Sequence, residues 1–369
     1  MKNKLLTIIF LLLVFGVTLL DLLSPDRDFS EWENRELKKM PKATFKTVFD
    51  GSFGVDYESY MTDQFALRDT LVKVKYLSDR VLLKTDAGGV YIGDDALFVK
   101  QKAIDRTKLQ KNITAMEAFA KEYPARFLLV PSATYALRDK LPPYASVTDE
   151  KALFDELESS FENIQFINLV SDFDGSELYF RTDHHWTAEG ALVGYNAYRK
   201  AIGETPLTKD DFVVSVVSDD FLGTSVSKSG ALGITPDTLE KWERGQTLSV
   251  GVYDGFKLLK YDSVYFDEYL LKKDKYSYYL GQNESLVRIK TGSEGGRLLV
   301  FKDSYAHIFS QLMLADYSEI VLVDLRYVRE KVDVLLERTL GDELSDFDEF
   351  LFLYSVDTFT TESNMLWLK

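Results

Sequence analysis

Two short stretches hold the residues best able to do chemistry in this sequence: Arg181-Thr182-Asp183-His184-His185-Trp186 and Lys302-Asp303-Ser304. The chain has three histidines; two are adjacent in the first stretch and the third, His307, lies just past the second. Imidazole is the side chain best suited to moving protons near neutral pH. A serine hydroxyl is a weak nucleophile until a base within hydrogen-bond reach takes its proton. Asp183 and His185 are two residues apart, and in an extended or turn segment such residues project to one side. The carboxylate can then accept from Nδ1–H of His185 and leave Nε2 facing a serine, the division of labour in a serine triad. Ser304 follows an apolar run and reads as opening a helix to about Asp316, where backbone N–H groups favour an anion. The expectation is Ser304 as nucleophile, His185 as base and Asp183 as its orienting carboxylate. By the same alternation His184 points elsewhere, and Trp186 is placed to wall the pocket. Arg326, at the end of an apolar strand, is the first choice for stabilising developing negative charge. Asn283 and Arg181 are weaker choices, and His307 reads as structural or pocket-lining.

Other chemistry stays open on these residues alone. Asp183-His184-His185 could ligate a metal, as in metal phosphoesterases, but those need further Asp and His ligands and only His307 remains on the imidazole side. The adjacent histidines could also serve turn hydrogen bonds alone, and Ser304 could be a helix N-cap. The triad itself requires no metal and no cofactor.

The elements that must position these residues alternate. Residues 105–122 and 149–161 read as helices. Arg126–Val130 and Gln165–Val170 read as short buried strands, and Thr187 caps a helix running to about Ala201. The rhythm returns with strands Arg297–Phe301, Glu319–Asp324 and Glu349–Tyr354, and a helix over 328–341. Between them, about 205–290 is rich in Asp, Ser, Tyr and Gly and reads as an insertion of hairpins and loops. Such alternation implies βαβ units and a mostly parallel sheet with helices on both faces. Ligands bind such sheets at the carboxyl ends of the strands. Asp183, His185 and Ser304 all fall at that edge.

The 369 residues carry a formal net charge of −15 and no cysteine. No basic run supplies a nucleic-acid footprint, and disulfides, thiolate nucleophiles and Cys-ligated zinc are excluded. Lys2 and Lys4 precede an uncharged run, Leu5–Leu20, followed by Asp21, Leu22 and Leu23. This is a positive segment and an apolar helix of signal-anchor type, without a small-x-small cleavage site. The expected organisation is an N-terminal anchor or signal segment at 1–24, a linker and helical/hairpin extension at 25–104, and a catalytic domain at 105–369. The domain would face out of the cytoplasm, anchored at the cell membrane, or be secreted if the segment is cleaved.

With those residues in hand, the sequence resembles the DHHW family of bacterial envelope proteins. The resemblance rests on Asp183-His184-His185-Trp186 with flanking Arg181-Thr182 and Thr187. It extends to Ser30-Glu31 with Glu33-Asn34-Arg35, Gly89-Val90-Tyr91-Ile92-Gly93, Gly223-Thr224, Lys302-Asp303-Ser304-Tyr305 and Asp324-Leu325-Arg326-Tyr327. That family is similar to the proteins of alginate and exopolysaccharide O-acetylation, which share an SGNH-hydrolase-like fold. The resemblance implies Asp183, His185 and Ser304 as triad members and Arg326 as a pocket residue; Tyr305, with Arg326, Asn283 and Trp186, is a candidate for substrate or oxyanion contact. It implies acetyl transfer or ester hydrolysis on a cell-envelope polymer or exopolysaccharide, with a polytopic membrane acyltransferase as partner supplying acetyl groups. Lys302 departs from the SGNH pattern, which has glycine there. A reading from another class is a non-catalytic carbohydrate-binding or scaffold protein of an envelope-polymer complex.

Overall fold

The computed structural model describes residues 2–30, 35–173, 176–254 and 257–368. Glu31, Glu33 and Asn34 of the motif that follows the anchor lie outside them. The chain divides into two compact units, Met1–Gly88 with Val226–Gly233, and Gly89–Ser225 with Ile234–Lys369.

The first unit begins with α1 (Lys2–Leu23), a single helix of 22 residues. At about 1.5 Å per residue it is long enough to cross a hydrocarbon core of about 30 Å, and its apolar side chains are exposed. Three further helices follow: α2 (Phe45–Phe49), α3 (Ser52–Gln64) and α4 (Arg68–Val81). The last turn of α1 is tied to them. Asp21 accepts from the Ala66 N–H at 2.8 Å, and Gln64 exchanges hydrogen bonds with both backbone groups of Arg27.

The second unit is built on one sheet. Its strands are β1 (Ala125–Val130), β2 (Ile164–Asn168), β3 (Thr247–Asp254), β4 (Lys257–Tyr261), β5 (Leu286–Thr291), β6 (Arg297–Lys302), β7 (Glu319–Val323) and β8 (Glu349–Ser355). The order is β4-β3-β5-β7-β6-β8-β1-β2. The five strands from β7 to β2 are parallel, and β5, β3 and β4 add on antiparallel. The parallel strands are apolar runs because both faces are covered. Leu128, Val130, Leu298, Val300, Leu351 and Leu353 point to one core with helix α7 (Ala188–Ala201). The alternate residues Phe127, Leu129, Leu299, Phe301, Phe350 and Phe352 point to the other, under α5 (Arg106–Ala120), α6 (Glu150–Ser160) and a later helix over Val332–Leu340. In that second core Phe119 meets Phe301, Phe350 and Phe352 edge-on at 5.3, 5.5 and 5.8 Å.

Three sequence expectations are corrected here. The 205–290 segment does contain a separate hairpin, Val213–Phe221 with Asp237–Glu243. It also supplies β3, β4 and the start of β5, so it widens the main sheet. Residues 89–104, read as part of the N-terminal extension, belong to the second unit, where the Leu97 N–H donates to the Arg181 carbonyl at 2.7 Å. The helix after Ser304 is short. Here α8 spans Ala306–Ser310 and passes into a 3-10 turn at Gln311–Met313.

One buried carboxyl braces the edge where the parallel strands end. Glu150, in the first turn of α6, accepts from Ser132 N and Oγ at 3.0 and 2.6 Å and from the Gln101 amide. It has no exposed surface, and burial pushes its pKa up to about 8 against those hydrogen bonds. The folded chain therefore holds a proton that the unfolded chain, with an ordinary value of 4.5, has lost. Stability from this group falls as pH rises between those values and stays lower above them. The melting temperature of Glu150→Gln, which keeps the shape without the charge, should gain on that of the parent as pH rises from about 5 to about 9.

Candidate active site

Ser304 stands two residues past the end of strand β6, on a turn that two carboxylate contacts make rigid. Asp303, fully buried, accepts from the Tyr305 N–H at 3.0 Å. Its other oxygen accepts from Ser355 N and Oγ, at the end of β8, at 2.8 and 2.7 Å. The nucleophile turn is thereby pinned to the neighbouring parallel strand. Ser304 itself is half-buried. The N–H groups of Tyr305, Ala306 and His307 are consumed within the turn. That of Ser304 has no intramolecular partner among the described residues and is free to donate.

The histidine stretch is held from the other side. Asp237 accepts from Arg181 N at 3.0 Å and from Thr182 N and Oγ1 at 2.8 and 2.6 Å. Thr182 Oγ1 in turn accepts from Gly223 N at 3.1 Å. This brings Thr224 against Asp183, whose Oδ2 accepts from Thr224 N and Oγ1 at 2.7 and 2.8 Å. The approach is so close that a Cβ on Gly223 would stand 2.4 Å from the Asp183 Cβ. Glycine is required here for space.

The three expected residues meet. His185 Nδ1 is 2.6 Å from Asp183 Oδ1, and His185 Nε2 is 2.7 Å from Ser304 Oγ. A carboxylate acceptor at Nδ1 fixes the proton there and leaves Nε2 as the acceptor for the serine O–H. Burial works against the Asp183 charge. The His184 and His185 rings, the His185 hydrogen bond and the Thr224 N–H outweigh it and hold the carboxyl well below its usual range. Tyr276 lies flat on the His185 ring, 3.9 Å between centroids and 7° between planes. Its hydroxyl donates to the Ser304 carbonyl at 3.0 Å. It therefore orients the base and the nucleophile together.

Behind Ser304 a buried chain of polar groups occupies the place where the resemblance expects glycine. Lys302 Nζ donates to His307 Nε2 at 2.8 Å, and His307 Nδ1 donates to the Tyr279 carbonyl at 3.0 Å. Burial, then the Lys302 charge, hold His307 well below its usual value, so it is a neutral acceptor with no path to Ser304. Lys302 also lies 3.6 Å from Asp324, which takes two hydrogen bonds from the Arg326 guanidinium at 2.9 and 2.7 Å. The register pairs Phe301 with Val323, so the loop bearing Arg326 leaves the sheet beside the loop bearing Ser304. Arg326 and Asn283 are half-buried and 3.4 Å apart.

Other expected roles change. His184 does not point away: 181–185 is a run of bends, not a strand, so alternation fails. Its Nδ1 lies 2.9 Å from Thr224 Oγ1 and 3.3 Å from Asp183. Trp186 is fully buried, with its indole N–H on the Tyr305 carbonyl at 2.9 Å. Tyr305 is buried and donates to the His184 carbonyl at 2.5 Å. These two side chains lock the two loops together and have no free polar group to offer a substrate. Arg181 is committed to Asp237 and the Pro236 carbonyl. Gly223, Thr224, Tyr276 and Asp237 were not singled out as site residues. Only Gly223-Thr224 carried a signal, as part of the family pattern.

A metal could be offered ligand atoms by Asp183, His184 and His185, which lie within 4.8 Å of one another. The Asp183 oxygens, both His185 nitrogens and His184 Nδ1 are already engaged in the hydrogen bonds above. Coordination would have to break the Asp183–His185 contact or the Thr224 contacts, so the donor set fits a proton relay better than an ion.

The chain is similar in sequence pattern and in fold to known proteins. The family model described as DHHW protein matches residues 151–323, which include Asp183, His185 and Ser304. Among solved structures, Bacillus cereus PatB1 with sulfonyl adduct superposes with a TM-score of 0.61 at 20% identity. The match covers 74% of this chain and 97% of that one. A DHHW family protein from Eubacterium siraeum gives 0.62 at 17% identity, covering 76% and 94%. No curated protein matches the sequence. The fold is thus the expected mixed α/β arrangement on one large sheet, similar to that of PatB1 and of the Eubacterium siraeum protein.

Proposed function

We propose that this chain, which carries the DHHW family pattern over residues 151–323, is a membrane-anchored, extracytoplasmic, serine-dependent O-acetyltransferase or acetylesterase. Its acceptor is a cell-envelope polymer or exopolysaccharide. The observation that carries this reading is the relay from Asp183 through His185 to Ser304, at 2.6 and 2.7 Å. In the first step His185 Nε2 takes the hydroxyl proton and Ser304 Oγ bonds to the acetyl carbonyl carbon. The carbonyl oxygen becomes an oxyanion within reach of the Ser304 N–H. As that intermediate collapses, the bond to the donor's oxygen breaks and His185 returns the proton to it, leaving acetyl-Ser304. In the second step His185 deprotonates a sugar hydroxyl, whose oxygen bonds to the acetyl carbonyl carbon; the bond to Ser304 Oγ then breaks as His185 returns the proton to it, regenerating Ser304. With water as acceptor the same steps make an esterase. A single anchor cannot carry activated acetyl groups across the membrane, so a polytopic acyltransferase supplies them.

PatB1 is described with a sulfonyl adduct. Sulfonyl fluorides add to a serine oxygen whose proton a neighbouring base removes. Phenylmethylsulfonyl fluoride should label the purified protein once, on the peptide containing Ser304, and Ser304→Ala should take up none. Labelling elsewhere, or none in the parent, would leave a non-catalytic scaffold as the better reading.

A further inference from the structure

Outside the site, the largest unexplained feature is the outer face of helix α4. At about 100° per residue, Leu71, Val74, Leu77 and Val81 form one stripe, and all four are exposed. The opposite face is satisfied within the first unit. Val72 and Tyr76 pack at Gly230, and Asp69 and Asp79 pair with Arg27, Lys75 and Lys84. Along the two borders of the stripe stand Arg68 with Lys75, and Lys73 with Arg80. Apolar centre and basic borders are the pattern of a helix lying in a lipid interface, where long basic side chains reach the headgroups.

The neighbouring helices extend this surface. Phe45 and Phe49 of α2 are 79% and 75% exposed, with their rings 4.2 Å apart. Between α3 and α4 runs an open apolar groove of about 530 Å³, lined by Met61, Phe65, Leu71 and Val72. From Arg35 to Lys84 there are ten basic and seven acidic side chains, in a chain whose net charge is −15. The surface is also tethered to the end of α1 by the Asp21–Ala66, Gln64–Arg27 and Tyr60–Asp26 contacts.

We propose that α2, α3 and α4 form an interfacial collar whose exposed apolar side chains lie in the headgroup layer of the bilayer from which α1 emerges. The occupant is lipid, favoured by the direct continuity with the membrane helix and by the basic borders, which suit an anionic surface. This rests on α1 being a retained membrane anchor. The collar holds the anchored chain at the bilayer surface at three helices instead of one point.

The sequence has no cysteine, so single cysteines can be placed in the full chain for an environment-sensitive fluorophore. Leu71→Cys, Val81→Cys and Phe49→Cys test the collar, Leu12→Cys tests α1, and Glu122→Cys in the second unit serves as the aqueous reference. The labelled proteins are reconstituted in phosphatidylcholine vesicles containing phosphatidylglycerol, with and without doxyl-labelled lipid. The proposal expects blue-shifted emission and doxyl quenching at the three collar positions and at Leu12→Cys, with Glu122→Cys unshifted. Quenching at Leu12→Cys alone overturns the collar while keeping the anchor. Blue-shifted collar probes that lipid doxyl groups do not quench overturn it in favour of a protein covering the stripe. An unquenched Leu12→Cys removes the anchor, and with it the basis of the proposal.

Discussion

Ser304→Ala is expected to lower turnover of a chromogenic acetyl ester by about 10³-fold or more, with KM little changed. The substitution removes the atom 2.7 Å from His185 Nε2 and leaves the base without a proton to take. The Ser304 N–H remains, so some stabilisation of a hydrated carbonyl persists and the loss is finite. The fold should not suffer. Ser304 is half-buried, and the turn is held by Asp303 on Ser355 and Tyr305, none of which needs the serine hydroxyl. Melting temperature and far-ultraviolet circular dichroism should match the parent. Equal acetate release by the two proteins would remove the catalytic reading outright.

Asp183→Asn is expected to cost about 10³- to 10⁴-fold in kcat, the size of effect known when the carboxylate of a serine triad is neutralised. The reason lies in the donors around it. Oδ1 faces His185 N and Nδ1, and Oδ2 faces Thr224 N and Oγ1. An amide has one oxygen for these two sides. If its NH2 turns to His185, it forces the proton from Nδ1 to Nε2, and the ring can no longer accept from Ser304. If the NH2 turns to Thr224, it meets the Thr224 N–H with no acceptor between them, and the buried clash costs on the order of 1–3 kcal/mol in stability. The His185 N–H lies on the other side, so the NH2 meets a backbone donor in either arrangement and stability falls together with kcat. Either one lowers activity.

His185 was legible because histidine is scarce, Asp183 by its spacing from His185, and Ser304 because it lies just past the apolar strand β6. A buried β6 read as Leu298-Leu299-Val300-Phe301 can end only at the sheet edge, and parallel strands put all such ends on one side. What the sequence could not show is how the loops are held. Thr224 and Tyr276 come from the 205–290 segment, where no period of 2 or 3.6 orders the residues. Their roles exist only once Asp237 draws that segment under Thr182. His184 and Trp186 were misplaced for a related reason. Alternation of sides is a property of extended backbone, and 181–185 is a series of bends.

The same limit explains the sheet. The parallel strands bury both faces, so their composition alone marks them. β3 and β4, by contrast, are partly exposed and mix Tyr, Lys, Asp and Gly with their apolar residues, a pattern that reads as loop. Lys302 was legible as a departure from the glycine of the SGNH pattern but not as a solution. Its ammonium, partnered by His307 and Asp324, fills space directly behind the nucleophile turn.

The most direct measurement is to mix the purified chain with an excess of an activated acetyl ester, quench in acid within the first turnovers, and map the peptides by mass. One added acetyl group on the Ser304 peptide in the parent, absent from Ser304→Ala and accumulating more slowly in Asp183→Asn, is the predicted result. Ester turnover by the parent with no acetylated Ser304 peptide at any quench time, and undiminished turnover in Ser304→Ala, would contradict an acyl-serine mechanism.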